Sequence, residues 1–202
     1  MRQRDLKAIA NFIYEAGVLS KTPRSGLWFL GSGDQSVAEH ILRSTFIGYV
    51  LCFLTPKADC NKVVRMCLLH DFGEARTSDL NYVHQKYGRL AEARAIEELA
   101  KNVPFGDEIR RLFQEVSAKK TLEARLVGDA DQLEWIATLR EEQVKGNTKA
   151  NTWARIAHKR LKTLAGKRIG KLLLTTHPDT WWFNTKDKWF IDRKEKYRKW
   201  GR

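Results

Sequence analysis

The stretch CLLHDFGEARTSDL, residues 67–80, begins as an apolar run and then places His70, Asp71, Glu74 and Asp79 within ten positions. Its apolar approach, NKVVRMCLL, has helical periodicity, which predicts a helix over about 60–75. A rotation of about 100° per residue sets His70 and Glu74 about 40° apart and Asp71 and Glu74 about 60° apart, continuous with the apolar line through Val63 and Cys67. A buried stripe therefore ends in potential ligands. Carboxylates facing a core cost several kcal/mol unless they are paired or bind a cation. A divalent metal resolves the conflict; salt bridges from Arg65, Arg76 or Arg125 are the competing resolution.

Two further segments repeat the device. SVAEHILRSTFIGYVLCFL, 36–54, opens with Ser36 and Glu39 in the spacing of a capping box, which satisfies free amides at a helix start. One turn later His40 falls on the face of Val37, Ile41, Ser44, Ile47 and Leu51, so its ring points inward. In LEARLVGDADQLEWI, 122–136, an apolar helical pattern turns polar at Asp129, Asp131 and Glu134, with Asp131 on the side of Val127 and Trp135. Asp129 reads as a surface or supporting group. Two imidazoles and two carboxylates from three helices form a mixed nitrogen and oxygen set with open positions, unlike a closed thiolate zinc site.

Around these segments the chain reads as one all-α bundle. Helices are expected at about 3–18, 37–54, 60–75, 88–101, 106–117, 120–143 and 150–171, with a short one after Pro178. Residues 21–35 and 77–87 read as irregular by their Pro, Gly and polar content. The 202 residues, 43% hydrophobic, suffice for one well-buried core. Bundle residues 1–175 are followed by an aromatic and basic segment, 176–202, expected to pack on the bundle or on a partner subunit. Cys52, Cys60 and Cys67 lack metal-knuckle spacing and read as small core residues. No apolar run is long enough to span a bilayer and no signal-peptide block opens the chain, so a cytoplasmic protein without membrane contact is expected.

The formal net charge of +13 favours anionic partners. KRLKTLAGKRIGK, 159–171, has six basic residues and no acid. It reads first as a solvated helix face, with an anion-binding surface as the alternative.

His40, the adjacent pair His70 and Asp71, and Asp131 in this order resemble the H…HD…D signature of the HD-domain metal-dependent phosphohydrolases. Pro23, Arg24, Gly26 and Trp28, the SVAEH helix start, Glu74, and Asp79 with Leu80 make the likeness strongest to the bacterial 5′-deoxynucleotidase subgroup, over roughly residues 5–145. The resemblance implies one divalent ion per subunit (manganese, cobalt, magnesium, iron or nickel) held by His40, His70, Asp71 and Asp131. It implies hydrolysis of (deoxy)ribonucleoside 5′-monophosphates to nucleoside and phosphate, with Glu74 and Asp79 as the proton-handling carboxylates. Arg24 would grip the phosphate and Trp28 pack on sugar or base, in a homodimer. Dinuclear HD proteins use extra histidines between the HD pair and the last Asp; only His84 lies there, as a loop residue or phosphate contact, so the centre is expected to be mononuclear. Two alternatives remain: a nucleic-acid or nucleotide binder with a structural metal centre, and a triphosphohydrolase or phosphodiesterase on the same ligands.

Overall fold

The computed structural model describes residues 2–191. Among them the regular structure is helical, with one isolated bridge between Pro23 and Ser36. The helices are α1 (Gln3–Val18), α2 (Gly26–Leu30), α3 (Val37–Phe53), α4 (Cys60–Leu69), α5 (Glu74–Thr77), α6 (Tyr82–Tyr87), α7 (Glu92–Ala100), α8 (Gly106–Ala118), α9 (Leu122–Val144), α10 (Thr148–Arg160), α11 (Leu164–Leu173) and α12 (Lys188–Ile191). The all-α expectation holds.

The bundle is built around α9, which packs against α3, α4, α8, α10 and α11. Its Leu126, Leu133, Ile136 and Leu139 are fully buried and join Leu51, Val63, Met66 and Cys67 in the larger core. A second core joins Val37 and Ile41 to Phe72, Ile96, Leu99 and Ile109. The helices α3 and α4 form an antiparallel hairpin whose close approach requires Gly48: a Cβ there would sit 2.7 Å from Cys67 Sγ. In such a hairpin the start of α3 and the end of α4 share one end of the bundle. Hence His40 and His70, 30 residues apart, meet.

Helix ends differ from expectation in two places that matter. The helix read as 60–75 stops at Leu69, with His70 as its C-cap. The His70 Nδ1 takes the Cys67 carbonyl at 2.7 Å, and Phe72, Glu74 and Ala75 amides bond three residues back, so the backbone tightens into turns before α5 begins. Uniform 100° rotation from His70 to Glu74 is thus not the reason they converge. The helix read as 150–171 divides at Leu161–Thr163. There buried Asp129 accepts the amides of Lys162 and Thr163, both at 2.7 Å, and the Thr163 hydroxyl at 2.6 Å. Asp129 is therefore neither a surface group nor a ligand; it holds from inside the turn that leads into α11, whose N-cap is Thr163, and Gly166 leaves it room.

The two stretches read as irregular contain α2 and α6. Asn81 starts α6 by accepting the amides of Val83 and His84, so His84 is helical rather than looped. Past α11, Arg140 Nε donates to the Thr176 carbonyl, and Trp182, Phe183 and Phe190 cluster on one another. Tyr197 and Trp200 lie outside the described residues. No helix is long and apolar enough to cross a membrane among the described residues.

Candidate active site

The capping box at Ser36 and Glu39 forms as expected and starts α3. The loop before it is pinched at its base, where the Arg24 amide donates to the Gln35 carbonyl and the Val37 amide to the Thr22 carbonyl, each at 2.8 Å. Asp79 then ties the loop to the segment after α5, accepting the Ser25 amide at 2.8 Å while the Ser25 hydroxyl donates to the Asp79 carbonyl. These bonds deliver Arg24 to the end of the bundle where His40 and His70 meet.

His40 Nε2 lies 3.4 Å from His70 Nε2, 3.4 Å from Asp71 Oδ2 and 3.3 Å from Asp131 Oδ1, and His70 Nε2 lies 3.2 Å from Asp71 Oδ2. Ligand atoms about 2.0–2.2 Å from one ion are separated by about 3.0–3.6 Å, so this spacing suits a shared metal. The outer nitrogens are engaged as well. His40 Nδ1 donates to Glu134 Oε2 at 2.6 Å and His70 Nδ1 to the Cys67 carbonyl, which in the neutral rings turns both Nε2 lone pairs toward each other and toward two carboxylates. That arrangement demands positive charge. The same demand appears in the acid–base behaviour: burial and Arg24 oppose charging of His40, yet Asp131, Asp71 and Glu134 hold its imidazole well above the ordinary value. Burial is likewise outweighed at Asp71, which the two histidines hold well below the usual carboxylate range, and at Asp131, lowered to about 2 chiefly by His40.

By its sequence Glu134 reads only as a polar position on an apolar helix. It is fully buried and accepts from His40, from Gln35 at 2.7 Å, from Arg43 at 2.7 and 2.9 Å and from Thr138 at 3.0 Å. Its carboxyl is lowered to about 2, the hydrogen bond from His40 overcoming burial. The signal for it was its place one turn beyond Asp131 in a helix that faces His40.

Beside the ligands opens a cavity of about 410 Å³. Five carboxylates line it, Asp71, Glu74, Asp79, Glu92 and Asp131, against three cations, Arg24, Lys119 and Arg160. Arg24 Nη1 is 3.5 Å from Asp71 and Nη2 3.9 Å from Asp131. The arginines that competed for the acids are elsewhere: Arg65 pairs with Glu108, Arg76 with Glu15 and Glu98, and Arg125 reaches the Thr121 carbonyl. The excess of carboxylates in this half-buried site and the donor spacing both fit a divalent cation.

Glu74 is buried with Oε2 unpartnered, and burial followed by the Asp71 and Asp79 charges pushes its carboxyl up to about 10. The aromatic walls of the cavity are Trp135 and Tyr82, with Gly26 against the Trp135 ring. Trp28 is 60% exposed, meets His84 edge-on, and is not among the cavity-lining residues. Glu92, Lys119 and Arg160 come from α7, the end of α8 and α10, and no spacing in the sequence joins them to the ligands.

The sequence profile of the HD domain matches residues 16–172. The chain belongs to the HD-domain family. Two curated relatives are named 5′-deoxynucleotidases: hdd1 of Schizosaccharomyces pombe, 27% identical over 150 residues that cover 67% of this chain and 75% of that one, and HDDC2 of Xenopus laevis, 29% identical over 140 residues, covering 64% and 67%. A conserved hypothetical protein from Pyrococcus furiosus superposes with a TM-score of 0.63 at 34% identity, over 69% of this chain and 84% of that one. The cyanophage S-2L HD phosphohydrolase DatZ, solved with dA and one catalytic Zn2+, shares the fold with a TM-score of 0.53 at 18% identity, over 80% and 92%.

Proposed function

We propose that this HD protein is a metal-dependent phosphomonoesterase that hydrolyses deoxyribonucleoside 5′-monophosphates to nucleoside and phosphate, in line with the activity named for its curated relatives. The observation that carries the reading is that His40 Nε2 lies 3.3–3.4 Å from donor atoms of His70, Asp71 and Asp131, at a cavity that also presents Arg24 and Glu74. Bound there, a divalent ion supplies Lewis-acid charge to the phosphoryl oxygens and makes a water a competent nucleophile near neutral pH. The Arg24 guanidinium grips two phosphate oxygens as a planar fork. Glu74, carrying its proton at neutral pH, donates to the leaving 5′ oxygen. Asp79 holds the Ser25 turn, and so Arg24, in register, and is the second carboxylate for proton handling. Trp135 and Tyr82 wall the nucleoside side, with Trp28 further out beside His84.

Charge favours the monophosphate over the triphosphate. With Glu74 protonated, the four other carboxylates against three cations and a divalent ion leave the cavity about one positive charge, enough for a monophosphate and too little to answer a polyphosphate. The two imidazoles and two carboxylates suit manganese, cobalt, iron or nickel, and also zinc, the ion bound in DatZ.

The partner subunit belongs on α3. Its Leu42, Phe46, Tyr49, Val50, Phe53 and Leu54 form an apolar stripe, each side chain 45–83% exposed. Together they offer roughly 800 Å², the share each partner contributes to a standard-size interface at ~800 Å². An isologous dimer would cover this stripe without touching the cavity.

Phosphate release from a panel of deoxy- and ribonucleotides with added manganese, cobalt or zinc tests the reaction. Nucleoside and one phosphate are the expected products from monophosphates. Release of pyrophosphate or triphosphate from nucleoside triphosphates with monophosphates untouched, or full activity in Asp71→Ala, would overturn it.

A further inference from the structure

From Thr148 to Pro178 the chain has eight Lys and Arg residues and no Asp or Glu. All eight are exposed. The small residues of α10 and α11, Ala150, Ala154, Ala157, Ala165, Gly166 and Gly170, are buried where the two helices meet the bundle, so the opposite faces carry the charge. None of these cations forms an ion pair among the described residues, whereas Arg43, Lys62, Arg65, Arg76 and Arg110 elsewhere each hold carboxylates. Arg160 connects this surface to the cavity: it donates to the Tyr82 hydroxyl at 2.8 Å, its guanidinium lies 5.0 Å from the Tyr82 ring centroid, and it lines the cavity wall.

A row of unanswered cations costs a folded protein self-repulsion and is repaid by a polyanion. Eight residues past the end of α11 comes Trp181, 86% exposed, followed by the half-exposed Trp182 and Phe183. Cations that track a phosphate backbone beside exposed aromatic faces are the two elements of sequence-tolerant single-strand binding. A lipid surface fits less well, because a helix lying in a bilayer inserts an apolar face. Here the continuous apolar faces of α10 and α11 are already used inside the bundle, and the exposed Ile156, Leu164 and Leu172 are isolated among charges.

We propose that the outer faces of α10 and α11, continued by Trp181, form a docking surface for single-stranded nucleic acid, with phosphates on the basic faces and bases against the tryptophan. Apart from Arg160, which lines the cavity wall, the surface lies outside the hydrolytic centre, and it does not depend on the reaction proposed above.

The full chain is titrated into a fluorescent oligothymidylate of about 20 nucleotides and followed by anisotropy at increasing salt. Four to six phosphate contacts predict a log–log salt slope of about −3 to −4 and a loss of roughly 50- to 300-fold in affinity between 50 and 200 mM salt. The variant K159Q/K162Q/K167Q/R168Q, whose four sites are exposed and outside the cavity lining, is expected to keep its melting midpoint while its slope falls by about three. W181A is expected to weaken the single strand at least about fivefold and a duplex of the same length little. The proposal is overturned by absent binding at 50 mM salt, by a slope the quadruple variant leaves unchanged, by equal loss of duplex and single strand in W181A, or by tighter binding to phosphatidylserine vesicles than to the oligonucleotide.

Discussion

Replacing Glu134 by Gln separates the orientation of a ligand from ligation itself. The carboxylate is fully buried, 2.6 Å from His40 Nδ1, and also anchors Arg43, Gln35 and Thr138. The amide keeps the shape but can offer only one acceptor oxygen to donors that now use two. His40 then loses the partner that keeps its proton on Nδ1 and its Nε2 lone pair on the ligand side. Loss of such an outer partner costs about 10- to 100-fold in metal affinity, or about 1.4–2.7 kcal/mol. At saturating metal the metal-dependent stabilisation shrinks by the same amount. At ~2–4 °C per kcal/mol for a chain of this size, the metal-induced rise in melting midpoint falls by roughly 3–10 °C. The assay is thermal unfolding with and without manganese or zinc, paired with calorimetric titration of the metal. Glu141→Gln is the control: Glu141 shares Arg43 at 2.6 Å, is more exposed and touches no ligand, so its metal response should match the wild type. Identical metal responses in Glu134→Gln and the wild type, or equal losses in both variants, would refute the argument that Glu134 acts through His40.

Asp129→Ala removes three buried hydrogen bonds at the start of α11 and is expected to cost about 1–3 kcal/mol, lowering the melting midpoint by several degrees with metal affinity unchanged. Gly166→Ala reaches the same turn from the other side, because its Cβ would clash with Asp129 Oδ2; a loss of about 1–3 kcal/mol in chemical denaturation is expected. Trp135→Phe narrows the aromatic wall and should raise KM for nucleotide about 2- to 10-fold, while Trp28→Ala, outside the cavity lining, should stay within about twofold in steady-state kinetics. Phe46→Asp with Phe53→Asp places charge on the exposed face of α3 and should halve the mass measured by light scattering while metal affinity stays unchanged; a wild type that is already monomeric would remove the dimer.

What the sequence makes legible here is local chemistry along single helices. The capping box at Ser36, the inward face of His40 and the polar interruption at Asp131 are each set within one or two turns, where periodicity and residue type carry the information. What joins segments is harder to read. Arg24 reaches Asp71 because Ser25 is bound by Asp79, 54 residues later, and because Thr22 and Gln35 accept the bonds that pinch the loop. Trp28 falls within α2, where a loop is expected, and meets His84, while Trp135, on the same helical face as Asp131, takes the cavity wall. Two helices break where the expected period runs straight on, and in both a side chain takes over a backbone partner: the His70 ring claims the Cys67 carbonyl, and Asp129 claims the Lys162 and Thr163 amides. A buried polar side chain competes successfully with a helix because leaving it unpaired would cost as much as the helical bond gained. The polar residues that fall on an apolar helical face in this chain thus divide by what answers them. Asp129 is answered by backbone and bends the fold, Glu134 by His40 and Arg43, while Asp71 and Asp131 meet imidazoles, Arg24 and, at Asp131, the neutral Gln132 amide, a deficit of positive charge that a bound cation would fill.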